Sequence, residues 1–247
     1  TAQTKWDDPE HALVFSGGPI GGITAYPGTG KVTVVSISPQ THSVIDSNGG
    51  GSFGPYLKFA GWDALAIVGK AAEDVIIYID GDTGRVTIEA APLEALDTHL
   101  LSRQLTEMYA RDSRDMRSIS VASAGAAADH IPMCGINLSF YDSRRDEVRY
   151  KQAARGGCGS VLRNKKVKAI VVRYGKLSGD SNGPADPSLL RKAGQRINKE
   201  ITDFDLVQND MRNTGTPYLV EIMNRFDLLP VENFRFGAHP DSVKING

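Results

Sequence analysis

The stretch SNGGGSFGPYLKFAGWDALAIVGKA, Ser47 to Ala71, decides how this chain is read. Its first eight residues, Ser47-Asn48-Gly49-Gly50-Gly51-Ser52-Phe53-Gly54, form a glycine-bearing loop, and Ala64 to Val68 beyond it has strand chemistry. Consecutive glycines remove the Cβ barrier and let backbone N–H groups and carbonyls approach a flat or phosphorylated ligand. Two further loops share this character. Tyr26-Pro27-Gly28-Thr29-Gly30-Lys31 precedes the β-branched run Val32 to Ser38, which suits the centre of a sheet. Ala154-Arg155-Gly156-Gly157-Cys158-Gly159 precedes another strand, Val167 to Arg173. Lys31 and Arg155 add positive charge to two of the three loops. Three such loops converging would suit a large cofactor with phosphates; three separate tight turns are the plain alternative.

The common nucleotide motifs fail on spacing. Gly28-Thr29-Gly30-Lys31 lacks the separation of GxxxxGK(S/T) and leads into a strand rather than a helix. Gly157 and Gly159 have no third glycine, since Leu162 to Lys165 stand there and a strand follows, which disfavours a Rossmann fold.

Outward from the loops, Ala12 to Ser16 reads as a strand, as do Asp74 to Ile79 and Arg85 to Ala90 around the hairpin signal Asp80-Gly81-Asp82-Thr83-Gly84. Leu93, Leu96, Leu100, Leu101, Leu105 and Met108 recur at helical spacing, so Leu93 to Tyr109 is expected to be an amphipathic helix. Arg117 to Ala122 and Ile131 to Phe140 return to strand chemistry. The polar stretch Gly175 to Pro187 has no periodicity. Residues 1–174 therefore read as one strand-rich domain, 175–185 as a linker and 186–247 as the start of a helical domain. There Asp186 is the expected N-cap with Pro187 at the first helical position. Leu189, Ala193, Ile197 and Ile201 step along one face, and a second helix begins near Thr216-Pro217, with Leu219, Val220, Ile222, Met223 and Phe226 inward. By residue chemistry alone this is an α+β cofactor-binding module.

A net charge of −1 on 247 residues gives no electrostatic reason to expect nucleic acid or an acidic membrane surface. The local cluster Arg163, Lys165, Lys166 and Lys168 reads equally well as the solvated start of a strand or as an anion site. Two isolated cysteines, Cys134 and Cys158, exclude a disulfide framework and a Cys-rich metal site within the chain. They suit buried free thiols in a reducing compartment. No apolar run approaches the roughly 20 residues of a membrane span, and no signal pattern precedes the first strand, so the chain reads as cytoplasmic. His11, His42, His99, His130 and His239 have no partner at triad or metal spacing. Asp142, Arg144, Arg145, Asp146 and Glu147 suggest a solvated loop, and Lys58 with Asp63 an exposed pair. No nucleophile is nominated.

The opening stretch resembles the signature of the tungsten-dependent aldehyde:ferredoxin oxidoreductase family, roughly A-N-S-G-G-x-F-G-x-x-L-K-F-A-G-Y-D-x-I-x-x-x-G-K-A. LVFSGGPIGGITAYPGTGKVTVVSISPQT, Leu13 to Thr41, AARGGCGSVLRNKKVKAIVV, Ala153 to Val172, and GTPYLVEIMNRFDLLPVENF, Gly215 to Phe234, are similar to family blocks in the same order. The resemblance runs from Leu13 to about Gly237 and is thinnest between Pro92 and Lys151. It implies a two-sheet α+β base that cradles pterins, followed by the beginning of an all-helical domain. It also implies tungsten, sometimes molybdenum, held by two pterins beside a [4Fe–4S] cluster.

Carried over by position, Asn48 and Gln152 would offer backbone carbonyls to a Mg2+ ion bridging the pterin phosphates. Gly49, Gly50 and Gly51, with Ala153, Arg155, Gly156 and Gly157, would line the pterins. Lys31 stands where the family has an arginine between cluster and pterin; it keeps the charge but loses the planar fork. Ser38-Pro39-Gln40-Thr41 is similar instead to the active-site subunit of tungsten benzoyl-CoA reductases, and the segment from Ser139 to Arg149 is longer than the family loop. The cluster ligands and the acid/base groups belong to parts of the family outside this chain. The resemblance thus implies a component of an aldehyde-oxidising tungstopterin enzyme. It would work with the rest of the enzyme or a partner subunit, and with ferredoxin, in a homo- or hetero-oligomer. An acyl-CoA reductase component and a non-catalytic scaffold are the alternatives.

Overall fold

Alternating burial sets the first sheet. The computed structural model describes residues 3–92, 97–175, 183–203, 211 and 213–246. In it β1 (Leu13–Ser16) and β2 (Val32–Ile37) bury every second residue, turning Leu13, Phe15, Val32 and Val34 inward, the period of a sheet with one dry face. β3 (Val44–Gly49) and β4 (Ala64–Ile67) complete an antiparallel sheet ordered β3-β2-β1-β4. β3 is thereby an edge strand. Between β3 and β4 lies α1 (Phe53–Phe59), which sends Phe53 and Leu57 into the core; the Phe15 and Phe53 rings stand 5.6 Å apart.

The second sheet holds β5 (Val75–Asp80), β6 (Arg85–Ala90), β7 (Ile119–Ser123), β8 (Ile136–Asp142), β9 (Glu147–Ala153) and β10 (Val167–Arg173), ordered β6-β5-β10-β7-β8-β9. Among the described strands only β5 and β10 pair in parallel. β10 is apolar on both faces because both are covered. Ile170 and Val172 face the core shared with the first sheet, while Ala169 and Val171 face a second core under α2 (Thr98–Tyr109). α1 and α3 (Cys158–Asn164) touch strands of both sheets and so fill the space between them. The α+β arrangement of two sheets is the one the sequence led us to expect.

Several boundaries differ, each for a local reason. The predicted helix Leu93–Tyr109 is seen from Thr98, where the Asp97 carboxylate accepts from the His99 and Leu100 amides at 2.6 and 3.1 Å and caps the first turn. Leu93 and Leu96 lie outside the described residues. Of the rest of that stripe, Leu101 and Leu105 are buried, whereas Leu100 and Met108 are exposed. The strand expected from Ile131 starts at Ile136, after the turn around Pro132, which has no amide to give a ladder. A 3-10 turn, Asp115–Ser118, precedes β7, so that strand begins at Ile119 rather than Arg117. The charged run from Asp142 to Glu147 is solvated as expected, with residues 143–147 exposed, but it is a hairpin turn. It ends β8, makes a tight turn closed by the Arg145 amide on the Asp142 carbonyl (3.1 Å), and starts β9.

Residues 1–187 and 188–247 form two compact units. In the second, α4 (Pro187–Asp203), which opens on Pro187 as expected, is followed by a 3-10 turn, Thr216–Tyr218, and α5 (Leu219–Arg225). Most of the expected linker, 176–182, lies outside the described residues. Ala193, Ile197, Leu219, Val220 and Met223 are half-buried, but Leu189, Ile201, Ile222 and Phe226 are exposed, which corrects the inward placement of the last two.

Candidate cofactor cradle

The three glycine loops come together where the edge strands β3 and β9 pack on each other. The Arg155 amide donates to Ser47 Oγ at 3.0 Å, tying the third loop to β3. Gly156 has φ +63°, and a Cβ there would stand 2.6 Å from Ile45 Cγ1, so the loop lies on β3 only because that residue has none. The first loop meets the second in the same way: a Cβ on Gly54 would overlap the Lys31 carbonyl oxygen. A Cβ on Gly51 would lie 3.6 Å from Lys151 Cγ, which places the end of β9 over the second loop.

The individual residues divide by exposure. Asn48 is exposed; its Oδ1 accepts from Thr33 Oγ1 at 3.0 Å and its Nδ2 donates to Asp46 Oδ2 at 2.9 Å. Gln152 is exposed, and its Nε2 donates to Asn137 Oδ1 at 3.2 Å. Gly50, Gly51 and Gly156 are half-buried. Gly49, Ala153 and Gly157 are buried, so their side of the loops shapes the chain rather than meeting solvent. Lys31, Lys151 and Arg155 are exposed, and none has an ion pair among the described residues. Sequence reasoning missed Lys151, Ser47, Thr33 and Asn137. For Ser47 and Lys151 the signal was the two-residue alternation of VIDSNG and EVRYKQA, hidden because both strands carry polar residues on both faces; Thr33 and Asn137, on β2 and β8, carry no such signal.

The basic cluster near residue 165 is neither of the two things expected of it. Arg163 is buried and bonded to Asp129 at 3.0 and 3.1 Å and to Asp74 at 3.1 Å, with Lys168 3.6 Å from Asp74. Lys165 is buried as well, and its Nζ donates to the Pro9 and Gly69 carbonyls at 3.2 and 3.1 Å; burial pulls the amine below the usual lysine range. These cations are occupied in holding the fold.

Among the described residues, no catalytic group emerges elsewhere. His11 is buried, accepting the Ile37 amide on Nε2 at 3.1 Å beside Ser36 Oγ at 2.9 Å. Lys58 is buried against Asp63, which alone is exposed, so the expected exposed pair is only half so. Burial pushes the Cys158 thiol up to about 11 and also raises that of the half-buried Cys134, which makes both poor nucleophiles at neutral pH. Among the described residues, no group of three His, Cys, Asp or Glu is placed to hold a metal ion. No helix among them is long and apolar enough to cross a membrane.

Fold and loops together define a two-sheet α+β base whose glycine loops gather at one pair of sheet edges. Residues 1–174 match the family model described as the N-terminal domain of aldehyde ferredoxin oxidoreductase, and the chain belongs to that family. It is 31% identical over 241 residues to the tungsten-containing aldehyde ferredoxin oxidoreductase of Pyrococcus furiosus, covering 97% of this chain and 36% of the relative. The corresponding protein of Thermococcus kodakarensis is 32% identical over the same shares. An aliphatic sulfonate oxidoreductase, WOR-like subunit, of P. furiosus is 28% identical over 68% of this chain and 27% of its own length. Among solved structures, the active-site complex BamBC of benzoyl coenzyme A reductase with 1,5-dienoyl-CoA is similar at a TM-score of 0.58 and 27% identity, covering 71% of this chain and 24% of that one. The chain thus spans about a third of the length of the curated relatives it matches.

Proposed function

We propose that this chain is the cofactor-holding base of a tungstopterin oxidoreductase that oxidises aldehydes to carboxylic acids and passes electrons to ferredoxin or a partner subunit. In this reading residues 1–174 are the base, 175–185 a connection and 186–247 the opening of the helical domain, within a cytoplasmic oligomer. The observation that carries it is the meeting of three glycine loops with three exposed cations, Lys31, Lys151 and Arg155, that have no ion pair among the described residues, at the facing edges of two sheets. Such a place fits the group. Pterin phosphates are anions that call for unneutralised cations and free backbone. Magnesium is a hard ion that takes oxygen ligands, which the backbone carbonyls of Asn48 and Gln152 supply whatever their side chains.

The chain's own part is binding and orientation. Gly50, where an added Cβ would meet nothing within 4 Å, leaves room for a flat ring system, Gly51 and Gly156 let the loops close around it, and Arg155 and Lys151 balance phosphate charge. Lys31 gives a point charge in place of a planar fork. When bound, the tungsten or molybdenum centre supplies the two-electron chemistry, and a [4Fe–4S] cluster held by residues outside this chain supplies the electron exit. The test is elemental and pterin analysis of the full-length gene product purified without oxygen, with aldehyde-dependent dye reduction. Stoichiometric tungsten with pterin and activity is expected. A preparation without tungsten, molybdenum or pterin overturns the proposal in favour of a scaffold role.

A second reading keeps the cofactor and changes the reaction to reduction of an aromatic acyl-CoA. It is favoured by the likeness to the benzoyl coenzyme A reductase complex and by Ser38-Pro39-Gln40-Thr41, whose Ser38 Oγ accepts the Gln40 and Thr41 amides at 3.1 and 3.2 Å. Assaying the same preparation with aldehydes and with an aromatic acyl-CoA plus a low-potential donor separates the two.

A further inference from the structure

We propose that two cross-strand hydrogen bonds, Thr33 to Asn48 and Gln152 to Asn137, are positioning clamps that hold the two edge peptides assigned to the bridging cation. The proposal rests on the reading above. Asn48 is the last residue but one of β3, and Gln152 the last but one of β9. Each strand is the edge of its sheet, so each has ladder partners on one side only. A peptide near the end of an edge strand frays most easily, yet a cation site needs its oxygens held still. Both edges have the same remedy. Thr33 lies directly opposite Asn48 in the β2–β3 register, and Asn137 directly opposite Gln152 in the β8–β9 register. Thr33 Oγ1 donates to Asn48 Oδ1 at 3.0 Å, and Gln152 Nε2 donates to Asn137 Oδ1 at 3.2 Å. β2 and β8 each have neighbours on both sides, so each clamp ties a loose edge to a fixed strand.

Asn137 separates positioning from stability. It is only 5% exposed, and its Nδ2 is buried without a hydrogen-bond partner among the described residues. A buried unsatisfied donor weakens the fold. An apolar side chain of similar size would serve the core at least as well, so the visible product of Asn137 is its hold on Gln152.

The experiment uses the full-length enzyme with Thr33→Val, Asn137→Leu and the conservative Thr33→Ser. Magnesium retention is read by metal analysis across a chelator series, melting temperature by scanning calorimetry, and backbone opening by hydrogen exchange of the cofactor-free protein. Thr33→Val and Asn137→Leu are each expected to weaken magnesium retention about five-fold, the worth of one hydrogen bond. Thr33→Ser should restore wild-type retention, and Asn137→Leu should melt at or above the wild-type temperature. Amides at 48–50 and 152–154 should exchange faster in the matching variant. Magnesium held as tightly in both variants, or lost only in step with the melting temperature, overturns the clamps. A wild-type enzyme without magnesium removes the cation reading itself and the clamps with it.

Discussion

Basic side chains do opposite things at the glycine loops and along β10. Around β10 every buried cation is matched: Arg163 with Asp74 and Asp129, Lys165 with two carbonyls, and Arg173 with Asp80, Asp82 and Asp115 at 3.3, 2.8 and 2.8 Å. At the loops Lys31, Lys151 and Arg155 are exposed and unmatched among the described residues. On the proposed reading, charge density along the sequence points away from the cradle, since the densest cluster lies at 163–168. What distinguishes a structural cation from a ligand-binding one is whether the fold already supplies its counter-charge. That question is answered by residues far away in sequence.

Replacing Arg173 with Met should break the matched region with the largest effect. It leaves three carboxylates together beside a strand end, and a loss of about 3 kcal/mol in denaturant unfolding is expected. Acid should do part of the same work in the wild type. The Arg173 guanidinium holds Asp82 below the usual carboxylate range. At Asp115 burial pushes the other way, but the hydrogen bond from Arg173 and the Arg111 amide outweigh it. Because the folded-state values are depressed, the unfolded chain binds more protons as pH falls. This stabilisation is complete above the unfolded carboxylate pKa near ~3.9 and is lost as pH drops through the lower folded values. Melting temperature against pH should therefore fall below about pH 4, and Arg173→Met should flatten that fall.

At the loops the effects on stability are smaller. Ser47→Ala removes the acceptor of the Arg155 amide and should cost about 1 kcal/mol, with faster exchange of that amide. Lys31→Met and Arg155→Met should each change stability by less than about 0.5 kcal/mol, while the pterin content of the purified full-length enzyme drops. A large loss of stability in either would mean that these cations are matched after all and would erase the contrast.

Legibility in the sequence followed the same divide. β2 and β10 were readable because their runs are rich in β-branched apolar residues, which suit a covered strand. β3 and β9 were not, because VIDSNG and EVRYKQA carry polar residues on both faces, and the run from Asp142 to Glu147 reads as a solvated loop where it is the turn between two strands. α1 and α3, at seven residues each, are too short for a helical period to show. The glycine loops were visible as loops, but their convergence depends on two sheets closing on each other. The side-chain spacing of a single strand carries no trace of that.

The parallel pairing of β5 with β10 has a consequence for how the chain is made. β10 is the last in sequence of the six strands of its sheet, yet it takes its place in the middle of that sheet, between β5 and β7. Until residue 173 has left the ribosome, the β5–β6 hairpin and the β7–β9 meander are two half-sheets with an open seam. The nascent chain must wait for a single seven-residue strand to join them, and protease resistance during synthesis should rise in one step when it arrives.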